Sequence, residues 1–238
     1  MANPHFQNMI LWAGNNEATE AKKDQPMFLP YPSDQTFYGY FNDFMTYNSG
    51  DWTVTTTEAG TGSASEAVTS SAGGALLLTN AAGDDDLDFL QLKGEAFRLS
   101  ASKKAYFSAR FKVSDATQSD FVMGLHITDT SPLDVTDGIF FISADGAATL
   151  DFQVEKDNTA TTTSSVATMA NDTFITTSWF IDPNRDALYY SIDNGTPLKS
   201  VATNLPNDED LTISFGIQNG EAVAKTMTID YITMMVER

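Results

Sequence analysis

The chain contains no cysteine. With neither a disulfide nor a thiol nucleophile available, its stability must come from packing, strand pairing, bound ions or neighbouring subunits. Positive charge is scarce as well: 13 Lys and Arg stand against 32 Asp and Glu, a formal charge of −19. Such a field repels nucleic-acid phosphate and anionic lipid, so neither is expected as a partner, and it keeps a protein soluble at high local concentration. Histidine is limited to His5 and His126. No transition-metal cluster and no Ser-His-Asp site can be assembled from that pair, and His126 reads as a surface side chain on the polar side of its strand. Gly60, Gly62, Gly73 and Gly74 lack a following helix start or lysine, so they form no phosphate cradle. The longest apolar run near the N-terminus, Met9 to Ala13, follows no basic stretch. It is read as neither signal peptide nor membrane span, and synthesis in a cytoplasm is expected.

What is present is alternation. Phe107, Ala109, Phe111 and Val113 share one face while Tyr106, Ser108, Arg110 and Lys112 share the other; after a polar turn Phe121, Met123, Leu125 and Ile127 repeat the rule. That pattern is antiparallel sheet with one wet face, and it recurs from Phe37 to Arg238. A chain of 238 residues, 42% hydrophobic, can bury a substantial core, and all-β bodies of this length are routinely one domain.

Turn chemistry punctuates the strands. Ala144-Asp145-Gly146 and Asp193-Asn194-Gly195 are hairpin signals, and Asp182-Pro183-Asn184-Arg185 places proline where its fixed φ suits a first central position. Roughly twelve strands are expected, too many for one twisted open sheet, so the predicted class is an all-β, two-sheet antiparallel sandwich of jelly-roll type. In the last strand the apolar face passes from Met227, Ile229 and Tyr231 to Ile232, Met234 and Val236, a phase slip that predicts a β-bulge. Ile139 to Ile142 is apolar on both faces, which predicts a central strand or a covered outer face. Thr55 to Gly74 and Thr159 to Ala170 read as weakly specified strands or long loops.

Residues 1–36 break the pattern and form a separate N-terminal arm ahead of a 37–238 sandwich. Asn15 to Asp24 suits a short helix, and Pro26 to Ser33 must be largely extended because each proline pushes its predecessor out of the α region. The arm's apolar side chains require a surface, supplied either by its own domain or by another subunit. Docking on neighbouring subunits through Phe6, Ile10, Leu11, Trp12, Phe28, Leu29 and Tyr31 is the expected arrangement.

Several phrases carry a family likeness: Gly73 to Thr79, Asp84 to Gln91, Phe107 to Phe121 and Thr136 to Phe141. They resemble the laminin-G or concanavalin-like jelly-roll proteins encoded among the virion genes of tailed bacteriophages. The resemblance implies a non-enzymatic capsid decoration or cement protein on the virion exterior, often a homotrimer, whose partners are the major capsid protein and its own copies. Its alternative is a carbohydrate-binding head fibre or adhesin.

Three side-chain sets are candidates for chemistry. Asp151 and Glu155 share the outward face of one strand and could serve as a glycosidase pair; the E-x-D-x-x-E signature of the family's glucanases is missing, which favours a plain polar face. Asp84, Asp86 and Asp88, with Glu95 further on, echo the acidic spacing of a calcium loop, although Phe89 stands where its turn demands glycine. Asp182, Asp186 and Asp193 are a second such set. Among Trp52, Trp179, Tyr189 and Tyr190, Trp179 is expected in the core and Tyr189 is the exposed ring available for stacking on a sugar.

Overall fold

The computed structural model describes residues 37–238. Two antiparallel sheets pack face to face. The eight-stranded sheet runs β13 (Leu198–Ser200), β12 (Ala187–Ile192), β11 (Ile175–Asp182), β6 (Ala105–Val113), β15 (Thr226–Glu237), β4 (Leu76–Thr79) and β3 (Ser65–Val68), with β1 (Phe37–Asn42) also paired to β15. The seven-stranded sheet runs β10 (Thr159–Thr168), β9 (Thr149–Lys156), β8 (Gly138–Ser143), β7 (Ser119–His126), β14 (Thr212–Asn219), β5 (Leu87–Leu92) and β2 (Trp52–Thr57). The two-sheet sandwich is therefore as the alternation requires, with fifteen strands where roughly twelve are expected from the pattern. The additional strands come partly from the polar stretches: β3, Ser-Glu-Ala-Val, and the Thr- and Ser-rich β10 are edge strands of the two sheets.

Between the sheets lies one large core. Phe107, Phe111 and Trp179 from the eight-stranded sheet meet Phe121, Phe141, Phe152 and Phe215 from the other. Phe107 stacks on Trp179 at 5.8 Å and Phe111 meets Phe121 edge-on at 5.7 Å. Burial of each such ring contributes roughly 1.5–3 kcal/mol, which accounts for stability without disulfides. The phase slip in β15 is a bulge between Ile229 and Tyr231. Its extra residue, Asp230, turns its carboxylate to the Arg110 guanidinium on β6, and that guanidinium lies 4.1 Å over the Phe174 ring.

Turns fix the order of pairing. Gly195 N–H donates to the Ile192 carbonyl at 2.8 Å, so the central residues of that hairpin are Asp193 and Asn194, both at positive φ, with Gly195 one place later. The same device at Asp157 and Asn158 joins β9 to β10. Arg185 N–H closes the Pro183 turn onto the Asp182 carbonyl at 3.2 Å.

Candidate functional site

On the outer face of the seven-stranded sheet, register runs from Phe89 of β5 through Gly216 of β14 to Val122 of β7 and Ile142 of β8, and from Gln91 through Ser214 and Gly124 to Phe140, with His126 beside Gly138 at the end of β7. This face should be wet by simple alternation. It is instead covered at its centre by the segment 127–137, whose Ile127, Leu133 and Val135 pack on Leu87, Phe89, Val122 and Phe140. The apolar outer residues of β8 are thus explained by a covered face. Gln91 fastens the cover at two points: its Nε2 donates to the Ile127 carbonyl at 3.0 Å and its Oε1 accepts from Asp129 N–H at 3.2 Å. Glu95 accepts from Thr128 N–H at 2.6 Å.

His126 is not a surface side chain. It is fully buried beneath this cover, with ring centroids 5.7 Å from Phe89 and 6.1 Å from Phe140. Its Nδ1 lies 2.6 Å from the Ile127 carbonyl, a contact that requires the proton on Nδ1 and leaves Nε2 a bare acceptor with no partner. Burial in this apolar setting pushes the imidazole down to about 4. Alternation places His126 outward correctly; it cannot reveal that a loop returns to cover it.

Beside the cover, β9 presents Asp151, Gln153 and Glu155 outward in one row, opposite their inward neighbours Leu150, Phe152 and Val154. Gln153 Nε2 donates to Glu155 Oε2 at 2.8 Å, Thr162 Oγ1 of β10 donates to Gln153 Oε1 at 3.3 Å, and Ser165 N–H donates to Asp151 Oδ1 at 2.7 Å. Burial raises the Glu155 carboxyl; the Gln153 hydrogen bond opposes this, and Asp134 and Asp137 raise it further. The two carboxylates are tied to different partners, Glu155 to the Gln153 amide and Asp151 to the Ser165 N–H.

The calcium set does not assemble. Asp86 is buried and accepts from the backbone N–H groups of Ala59, Gly60 and Gly83, the first of these hydrogen bonds being the main cause of its lowered pKa. It fastens two loops. Asp84 is exposed, Glu95 serves Thr128, and Asp88 points between the sheets toward Glu66 of β3. Among the described residues no group of three or more His, Asp or Glu could hold a metal ion. Asp182 and Asp193 likewise act in turns, accepting from Asn184 N–H at 3.0 Å and Thr176 N–H at 2.8 Å, and Asp186 is a turn residue at positive φ. Asp88 is the unexpected member: its carboxylate is fully buried and neither oxygen meets a donor. Burial first, then the Glu66 charge, pushes it up to about 8, and Tyr47 Oη donates to Glu66 at 3.5 Å.

The aromatic candidates separate as well. Trp179 is in the core as expected, and Trp52 and Tyr190 are buried with it. Tyr189 is half-buried on the outer face of the eight-stranded sheet, between Phe180 and Lys199. It lies on the opposite side of the sandwich from the Glu155 row. The arm residues Phe6, Ile10, Leu11, Trp12, Phe28, Leu29 and Tyr31 fall outside the described residues. No described helix is long and apolar enough to cross a membrane.

No protein-family model and no curated protein matches the chain. Solved structures match it in fold. A protein of unknown function from Shewanella oneidensis MR-1 is 17% identical with a TM-score of 0.62, over 93% of this chain and 95% of that one. An endo-1,3-beta-glucanase from Streptomyces sioyaensis is 12% identical with a TM-score of 0.59, over 87% and 99%. The carbohydrate recognition domain of Emp46p, in its potassium-bound form, is 12% identical with a TM-score of 0.55, over 81% and 94%. At these identities the likeness establishes the fold, a concanavalin-like jelly roll shared by lectin and glucanase domains. None of the three is named as a virion protein.

Proposed function

We propose that this chain is a carbohydrate-binding β-sandwich module that holds a glycan without cleaving it, with Gln153 and Glu155 at the binding edge. The observation that carries the reading is their row on β9: an amide and a carboxyl joined at 2.8 Å, beside the exposed hydroxyl of Thr162, offer fixed donors and acceptors of the kind sugar hydroxyls require. The fold shared with a carbohydrate recognition domain and with glucanases supports it. Binding without turnover is favoured over hydrolysis because the E-x-D-x-x-E signature is missing and Asp151 and Glu155 are each engaged by a separate hydrogen bond.

The test is calorimetric titration with soluble β-1,3-glucan and mixed-linkage glucan oligosaccharides, run beside an assay for released reducing ends. Binding that Gln153→Ala weakens and Tyr189→Ala leaves alone, with no release, is the expected result. Loss on Tyr189→Ala instead would move the site to the opposite sheet, and steady release of reducing ends would make the protein an enzyme.

A second reading, decoration of a phage capsid through residues 1–36, draws on the phrase-level resemblance, the apolar arm and the charge of −19. In it the major capsid protein and trimer mates are the partners, outside the shell. Co-sedimentation with undecorated capsids, full length against a chain lacking the arm, tests it: equal binding by both removes the arm as anchor.

A further inference from the structure

The outer face of the eight-stranded sheet carries an apolar row that crosses its strands. Register places Met235 beside Tyr106, Tyr106 beside Phe180 and Phe180 beside Tyr189, with Phe37 on the same face next to Gly39, the partner of Met235. Phe37, Tyr106 and Met235 are only 4%, 3% and 6% exposed. The trio packs together with Phe180 of the same face, and on an outward sheet face that degree of burial requires a covering layer. Alongside runs a row of small hydroxyls, Ser108, Ser178 and Ser191, all buried, and the Ser108 hydroxyl has no hydrogen-bond partner. An aromatic wall beside a hydroxyl floor is a trough suited to an extended peptide, whose side chains would sit on the rings and whose carbonyls would accept from serine.

We propose that this trough is the docking site of the chain's own segment 26–33, with Phe28, Leu29 and Tyr31 over the Tyr106–Phe180–Tyr189 row. Three observations commit the surface to this occupant. The chain enters the sheet at Phe37, itself part of the row, so residue 36 departs from the row's end. From Phe37 to Tyr189 the row spans β1, β15, β6, β11 and β12, four gaps of about 4.8 Å or roughly 19 Å; Tyr31 and Phe28 precede Phe37 by stretches that reach at most about 20 and 30 Å. The segment's sequence suits that path: Pro26, Pro30 and Pro32 disfavour the α region in the residue before each, and Ser33 and Asp34 are turn formers. The site lies on the sheet opposite the Glu155 row, so either proposal can fail without the other. Phe6, Ile10, Leu11 and Trp12 remain beyond the docked segment.

The test is peroxide oxidation of methionine, read residue by residue by mass spectrometry on the full chain and on its F28S/L29S/Y31S variant. Met45, 67% exposed, reports the free rate, and Met234, fully buried in the core, reports global opening. In the full chain Met235 should oxidise roughly tenfold or more slowly than Met45, and in the variant it should approach the Met45 rate while Met234 stays slow. Equal rates for Met235 and Met45 in the full chain, or an unchanged Met235 rate in the variant, would overturn the proposal. So would protection that disappears on dilution to the monomer, because the cover would then be a second copy. If Met234 accelerates in the triple variant, the same comparison is read on Leu29→Asp alone.

Discussion

The imidazole of His126 and the carbonyl of the next residue, Ile127, form a hydrogen bond at 2.6 Å in which Nδ1 must be the donor. This bond fixes the tautomer, leaves Nε2 facing apolar surroundings, and marks the point where β7 ends and the covering segment begins.

Stability should consequently fall with acid through this one ring. The folded value of about 4 lies below the ordinary 6.5, so the unfolded state binds the extra proton between those values. The contribution of the neutral, buried ring is complete above pH 6.5, declines as pH drops, and is gone below about 4, a loss on the order of 3 kcal/mol. Denaturant midpoints measured from pH 7 to 4 should fall more steeply for the natural chain than for His126→Gln, whose amide keeps the donor but cannot titrate. Parallel curves would contradict this.

The Asp88–Glu66 pair works in the other direction. Asp88 is raised from 3.8 to about 8 by burial and by Glu66, so its protonated form favours folding below its unfolded value and that advantage is lost as pH climbs through 8. Asp88→Asn, which removes the charge and offers Glu66 a donor, should raise stability at pH 9 by ~1–3 kcal/mol, a few degrees in thermal midpoint, with little change at pH 5. Calorimetric melting at the two pH values checks it.

At the glycan edge, Glu155→Gln should keep affinity within about threefold, because an amide preserves hydrogen bonding where the carboxyl is already partly desolvated. Gln153→Ala should cost tenfold or more, about 1.4 kcal/mol. Titration of both variants with the same oligosaccharide distinguishes hydrogen bonding from a requirement for charge.

Gly216 on β14 tests the close packing under the cover. A Cβ there would stand 2.4 Å from Phe89 Cδ2 and 2.5 Å from the Asp88 carbonyl, and backbone cannot yield as a side-chain tip can. Gly216→Ala should therefore destabilise by ~1–3 kcal/mol and, by displacing Phe89 from His126, raise the histidine pKa. Chemical denaturation and an NMR titration of the ring report the two effects.

Much of the fold was legible because alternation is a local property. Phe107 to Val113 and Phe121 to Leu125 could face only one way in a half-buried sheet, and the bulge at Asp230 was visible as a slip between Tyr231 and Ile232. The candidate site was less legible. Asp84, Asp86 and Asp88 look equivalent along the chain, yet one is solvated, one ties down three amides and one is buried beside Glu66. Asp151 and Glu155 were visible as outward carboxylates, but the amide of Gln153 that joins this row to Thr162 was not singled out.

The amino-acid order alone settled which residues alternate and where the hairpins turn, since each depends on neighbours a few positions apart. Only the tertiary structure decided which outward face meets water. Segment 127–137 returns across the seven-stranded sheet to bury its flanking residues His126 and Phe140 together with Phe89 of β5, dozens of residues earlier, a loop closure for which sequence periodicity carries no signal.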